Sequence, residues 1–204
     1  MRVFRNIICI FLIAGGCAHA QTNEVAKLET VTRNMLDVLY SDAYKHYTYK
    51  QQELAIRTIL KQNYDVMVII RRTLGRNWKL LSLEEQTKVQ ELVTLLVVKA
   101  FINGINGMER PIVNYGDLVT ITENRFEIPS VVTFPDGKIF NVVYRFGRVK
   151  SGWQIYDIIA EDVSIVSNYR QQFDDHFRNG TGAELIEKLE EFLEKDELDE
   201  STKL

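Results

Sequence analysis

The chain has 204 residues, 46% of them hydrophobic and 26% charged, with a formal net charge of −3. That hydrophobic share is enough for a sizeable core, and the length suits a single domain. The slight acidic excess excludes nucleic acid or an anionic membrane surface as a partner recruited by charge alone.

The N-terminus reads as an export leader. Arg2 and Arg5 precede an unbroken apolar run over residues 7–13, and Ala18-His19-Ala20 is a small-x-small cleavage site. The run is shorter than the roughly 18 residues that cross a bilayer. Cys17 raises a lipoprotein reading, but Ala14-Gly15-Gly16 before it lacks the branched apolar residue that such a site wants three positions upstream. Cleavage after Ala20 removes both cysteines, Cys9 and Cys17, and so removes disulfide, thiolate–zinc and cysteine-nucleophile chemistry. Loss of the leader's two arginines leaves 23 basic against 28 acidic residues, a formal net charge of −5. The organisation expected is a leader over residues 1–20, one domain over 21–195, and an acidic, flexible tail over 196–204.

Hydrophobic period then lays out the elements. Val25, Leu28, Val31, Met35, Leu36 and Leu39 recur at three- and four-residue steps and predict a helix over residues 23–40. Helices follow over residues 49–60 and 64–74, the latter stopped by Gly75. Ser82 and Glu85 form a capping box that opens a long helix through Val89, Leu92, Val93, Leu96, Val97 and Phe101 to about residue 103. Beyond Pro111 the period becomes two, with strands over residues 118–123, 127–134, 138–146 and 152–159. Pro135-Asp136-Gly137 makes a tight hairpin between the second and third of them. A helix over residues 163–179, a stop at Gly180 and a last helix from Ala183 complete an α+β pattern.

A curved four-stranded antiparallel sheet facing helices can hold a cavity. By alternation Phe140, Val142, Tyr144 and Phe146 share one strand face, as do Trp153, Ile155 and Ile159 on the next. The facing helices offer Val66, Ile69, Ile70, Val93, Val97 and Phe101. By spacing alone such residues read as core before pocket. No Gly-rich phosphate loop, zinc signature or paired-carboxylate motif appears, and no metal or cofactor is expected. His46 and His176 stand in no triad or metal spacing, and His176 reads as a helix-surface residue.

Three stretches point further. Trp153, Ile155-Tyr156-Asp157, Val163-Ser164-Ile165-Val166 and Asn168-Tyr169-Arg170 through Gln172-Phe173 follow one another in the C-terminal half. Upstream, Leu74-Gly75-Arg76-Asn77-Trp78 leads into Ser82, Glu85 and Gln86. This order resembles the MlaC family of periplasmic phospholipid-binding proteins. Phe101 replaces a tyrosine that often ends the family's first block, and Asp162 stands where the family usually has glycine.

The resemblance implies a cone-shaped fold of the nuclear-transport-factor-two type with an apolar cavity. It implies a carrier that holds a phospholipid by its acyl chains, with the predicted lining Val66, Ile69, Ile70, Val93, Val97, Phe101, Phe140, Val142, Tyr144, Trp153 and Ile155. It also implies partners: an inner-membrane ABC transporter with an MCE-domain subunit, and an outer-membrane lipoprotein–porin complex. Arg76 or Arg170 could hold the lipid phosphate through a planar fork, or Arg170 could pair with Asp157 or Asp174 as a brace. Two alternatives stay open: a hopanoid or other apolar lipid as cargo, and a small cone-fold enzyme using Asp157 or Tyr144.

Overall fold

In a computed structural model the described residues are 15–195, with side chains described from residue 23. The apolar run of the expected leader and the expected acidic tail over 196–204 lie outside them. Helix α1, Gly15–Tyr40, starts earlier than expected and includes the predicted cleavage region. After a 3₁₀ turn at Asp42–Tyr44 comes α2, Tyr49–Asn63, opened by a Thr48–Gln51 capping box. Tyr64 then takes an extended conformation instead of beginning a helix, and α3 is confined to Met67–Leu74. Asp65 lies at that break, where its Oδ1 accepts from the Met67 N–H at 3.0 Å. Gly75 stops α3 with φ of +55°, and a 3₁₀ turn over Gly75–Leu80 leads to α4, Leu83–Gly104. The Ser82–Glu85 capping box is formed as expected. Among the described residues no helix is long and apolar enough to cross a membrane.

The sheet is antiparallel and has six strands, not four. They are β1 Ile112–Tyr115, β2 Val119–Thr122, β3 Arg125–Thr133, β4 Ile139–Val149, β5 Gly152–Ala160 and β6 Val163–Ser164. β1 and β2 lie end to end along the same edge of β3, and β4, β5 and β6 follow on its other side. The two additional strands have four and two residues, too short to show a period. β6 takes the start expected of the next helix, so α5 runs only over Ile165–His176, with the Ser164 hydroxyl accepting from the Ser167 N–H at 3.0 Å. Helix α6, Gly182–Glu194, ends the described chain. In the β5–β6 turn Glu161 and Asp162 both have positive φ, so Asp162 adopts the left-handed conformation that a glycine would take freely.

A β-bulge changes which side chains share a face. Arg145 pairs with Asp157 but Phe146 pairs with Ile155, leaving Tyr156 as the extra residue. Beyond it the alternation flips, so Ile158 rather than Ile159 continues the face of Trp153 and Ile155.

Two apolar clusters result. The first packs Leu28, Val31, Met35 and Val38 of α1, Ile56 of α2, and Val98 and Ile102 of α4 against Phe126, Ile128, Phe146 and Ile155 of the sheet. The second joins Ile70 and Leu74 of α3, Val89 and Leu92 of α4, Phe173 of α5, and Leu185 and Leu189 of α6. Helix α4 serves both. Lys99 of α4 is buried, and its ammonium donates to the Leu193 carbonyl at 2.8 Å, neutralising the C-terminal end of α6.

Phe140 and Phe146 lie on the same strand six residues apart, but Phe146 is fully buried and Phe140 is 40% exposed. Phe146→Ala should therefore cost about 3–5 kcal/mol in urea unfolding, and Phe140→Ala, whose half-exposed ring meets Phe134 edge-on, less than about 1.5 kcal/mol. Equal losses would show that β4 is covered along its whole length.

Candidate ligand-binding site

The sheet's inner face is aromatic at its centre. Phe126 stacks on Phe146 at 4.8 Å between ring centres, and Trp153 meets Phe126 edge-on at 4.7 Å. Tyr64, from the α2–α3 junction, meets Phe146 edge-on at 6.2 Å, and Tyr115 of β1 lies 6.4 Å from Tyr144 of β4. Polar atoms border this apolar block without satisfying one another. The hydroxyls of Tyr64 and Tyr115 and one carboxylate oxygen of Glu24 are buried with no hydrogen-bond partner among the described residues. Tyr115 approaches Thr32 of α1, but not in hydrogen-bonding geometry.

Burial pushes all three phenols above the ordinary tyrosine range. For Tyr64, Glu24 comes next as a cause, followed by Tyr115 and Tyr144. For Tyr144, Tyr115 adds to burial while Ser130 opposes it. These groups stay neutral. Burial likewise raises Glu24, and Lys27, 3.9 Å away, pulls it back.

The predicted apolar lining does not form one surface. Ile155 belongs to the first cluster, with Ile69, Phe101, Tyr144 and Trp153 packed against it. Ile70 lies in the second cluster, where Val66 and Val93 pack as well. Val142 is half-buried on β4. Val97 is 53% exposed and, like Phe140, contributes to neither cluster. Two hollows flank α1. The larger, about 580 Å³, is lined among others by Lys27, Lys61, Tyr64, Asp65, Gln90 and Gln154. The smaller, about 250 Å³, is lined by residues including Glu29, Arg33, Arg110 and Tyr115. Of the predicted lining only Val66 borders either one.

The arginines lie elsewhere. Arg170 pairs with neither Asp157 nor Asp174. Its Nε donates to the Arg72 carbonyl at 2.8 Å, with Nη2 on the same oxygen, so it ties α5 to the end of α3. Gly75 makes room for it, because a Cβ there would come within 3.3 Å of the Arg170 Nε. Arg76 faces Asp174 at 3.5 Å, and Asp174 also accepts from the buried Asn77 amide at 2.7 Å. Asp157 is committed as well. Its oxygens accept from the Ile158 and Val166 N–H groups at 2.9 and 3.2 Å and from the Ser164 hydroxyl at 2.8 Å, and Arg145 lies 3.3 Å away. His176 is buried rather than on a helix surface, with its Nε2 2.9 Å from the Thr181 carbonyl.

The groups that sequence reasoning missed are Glu24, Lys27, Tyr64 and Tyr115. One signal was present: Glu24 sits four residues before Leu28 and seven before Val31, a carboxylate on the buried stripe of α1.

A profile of the MlaC protein family matches residues 29–191. The chain belongs to the MlaC family. Its fold is similar to that of a phospholipid-binding protein from Ralstonia solanacearum solved in complex with a phospholipid, with a TM-score of 0.71 and 20% identity over 85% of this chain and 96% of that one. No curated protein sequence matches it. In this family frame the LGRNW stretch, residues 74–78, is a structural corner: Leu74 and Asn77 are buried, and Trp78 packs on the second cluster.

The position of Arg170 yields a direct expectation. Arg170→Ala removes charge-assisted bonds to an exposed carbonyl and should lower stability by about 1 kcal/mol, with lipid content per folded molecule unchanged. A fall in bound lipid with an unaltered melting temperature would instead place a phosphate on Arg170.

Proposed function

We propose that this protein is a periplasmic carrier that binds a phospholipid by its acyl chains, placing them between the inner face of the sheet and helices α1 and α4. The observation that carries this reading is the first apolar cluster. It is aromatic at its centre, bordered by buried phenol oxygens with no hydrogen-bond partner among the described residues, and set in an MlaC-family chain whose fold is similar to that of a phospholipid-bound protein. Each CH₂ taken from water is worth about 0.8 kcal/mol, so a chain of roughly 16 carbons contributes on the order of 10 kcal/mol before ordering costs. Affinity can then come from the tails alone.

Within that reading the site is narrower than the sequence proposed. Ile69, Phe101, Tyr144, Trp153 and Ile155 remain lining candidates, since they surround the first cluster. Val66, Ile70 and Val93 belong to the packing among α3, α4 and α6. The protein acts as a carrier rather than an enzyme. Asp157, the best acid on sequence grounds, is held by two backbone N–H groups, a hydroxyl and an arginine. A leader over residues 1–20 delivers it to the periplasm, where it exchanges lipid between an outer-membrane lipoprotein–porin complex and an inner-membrane ABC transporter carrying an MCE-domain subunit, and so maintains outer-membrane lipid asymmetry.

Native mass spectrometry of gently purified protein tests the reading. One phospholipid mass per chain is expected, either on purification or after incubation with phospholipid vesicles. Protein that stays lipid-free through both would overturn it, and a co-purifying sterol-like mass would reassign the cargo to a hopanoid.

A further inference from the structure

The corner between α3 and α4 turns two leucines outward. Leu83, the first residue of α4, is 82% exposed, and Leu80, at the end of the preceding 3₁₀ turn, is 63% exposed, while Leu81 between them is buried. The exposure is built into the turn. The Gln86 amide donates to the Trp78 carbonyl at 3.2 Å and to the Leu81 carbonyl at 3.1 Å, and the Ser82–Glu85 capping box fixes the step into α4. Leu81 packs in the second cluster and lies close against Gly182, where an added Cβ would come within 2.8 Å of its Cδ2. No rotation of the turn brings Leu80 or Leu83 inward without expelling Leu81.

The charge around this tip runs against that of the chain. Residues 66–83 carry Arg71, Arg72, Arg76 and Lys79 and no acidic residue, in a chain whose formal net charge is −3. Arg76 is balanced by Asp174 at 3.5 Å, and Arg72 lies over the Tyr156 ring of β5. That leaves two exposed cations close to the leucines. Lys79, next to Leu80, is paired with no carboxylate among the described residues, and the Arg71 guanidinium lies 5.5 Å from the centre of the Trp78 ring. Of the two carboxylates that follow Leu83, Glu85 is turned back onto the Ser82 N–H at 2.7 Å, and Glu84 is exposed.

We propose that this corner is a membrane contact, at which Leu80 and Leu83 enter the interface of a bilayer bearing anionic lipids while Lys79 and Arg71 lie at the level of its phosphates. The two parts of the tip call for the same occupant. Leucines held outward gain by leaving water, and the cations beside them gain near a negative surface. A shaped protein partner fits less well, because a specific interface takes roughly 800 Å² from each side and the tip offers two apolar side chains and two cations. A bilayer interface has no shape of its own and accepts a small projection. The contact uses local charge together with apolar insertion, so it agrees with a chain whose net charge alone recruits no anionic surface. It stands apart from the interior assigned to acyl chains, because the corner packs on the second cluster and not the first.

Flotation of the full-length mature protein with vesicles tests the contact, using phosphatidylcholine with and without phosphatidylglycerol. The wild type should float with the vesicles that contain phosphatidylglycerol, less with phosphatidylcholine alone, and less as salt is raised. Leu80→Ser with Leu83→Ser changes only exposed side chains and should lower the bound fraction about tenfold. Arg71→Gln with Lys79→Gln should remove the preference for phosphatidylglycerol. Ile112→Ser and Ile139→Ser, at positions 65% and 58% exposed on the sheet, serve as controls and should leave flotation unchanged. A wild type that floats with neither vesicle, leucine variants that float like the wild type, or control variants that lose as much, would each overturn the membrane contact. Photocrosslinkers at positions 80 and 83 provide the remaining arm: capture of a protein from these positions, with no binding to vesicles, would make the tip a protein-docking element and overturn the proposal. Lipid content counted on the same samples reports separately on the carrier reading, which fails if the protein takes up no phospholipid whether or not it floats.

Discussion

The buried carboxylate of Asp157 fixes much of the geometry on which the interior depends. It lies immediately after the bulge at Tyr156, where the alternation of β5 changes face. Its two oxygens gather donors from its own strand, from β6, from the first turn of α5 and from Arg145 of β4. Arg145 in turn reaches Glu127 of β3 at 2.7 Å, so four strands and a helix are bound through one polar network. Removing one partner of such a buried network is far more costly than any surface pair, because the remaining charge is left unpaired. The bulge that this network secures turns Trp153, Ile155 and Ile158 toward the helices. From α5 the constraint continues outward, through Arg170 to the end of α3 and through Asp174 to Asn77.

This gives the two clusters different characters. The second is closed by side chains that meet their partners, and its polar neighbours are paired: Asn77 with Asp174, Lys99 with the end of α6, His176 with Thr181. The first is bordered by buried oxygen atoms of Glu24, Tyr64 and Tyr115 that have no hydrogen-bond partner among the described residues. Each such atom costs about 1–3 kcal/mol relative to a satisfied one. Under the proposed carrier function, that cost falls at the seam between α1 and the sheet for a reason. A seam with a small stability margin can open to admit acyl chains, while the α3–α5–α6 corner holds the rest of the chain in register.

Much of the fold was legible in the sequence because long elements repeat. The stripe Leu28, Val31, Met35 gave α1, Ser82 with Glu85 gave the start of α4, and Pro135-Asp136-Gly137 gave the central hairpin, whose Phe134 N–H donates to the Lys138 carbonyl at 2.9 Å. β1 and β6 were hidden by their length. The bulge was hidden because Ile158 and Ile159 are both apolar, so the pattern does not say which of them faces the helices. The site was less legible. Helix α4 is apolar on most sides around Leu95, Leu96, Val97 and Val98, so period alone could not show that Val98 is buried and Val97 exposed. Arg170 read as a brace to Asp157 or Asp174, or as a phosphate ligand, because nothing in a sequence marks a distant carbonyl as its partner. Tyr64 and Lys27 come from separate elements, and only the packing of α1 over the α2–α3 junction brings them together.

The central claim is that acyl chains occupy the first cluster and not the second. A phospholipid carrying a diazirine near the end of one acyl chain, loaded into the protein and photolysed, tests it directly when the labelled residues are mapped by peptide mass spectrometry. Label is expected on the inner face of the sheet and the facing side of α1, at residues such as Ile128, Phe146, Ile155 and Val31. Label concentrated on Leu74, Leu185 and Leu189, with the inner face of the sheet unmarked, would contradict it.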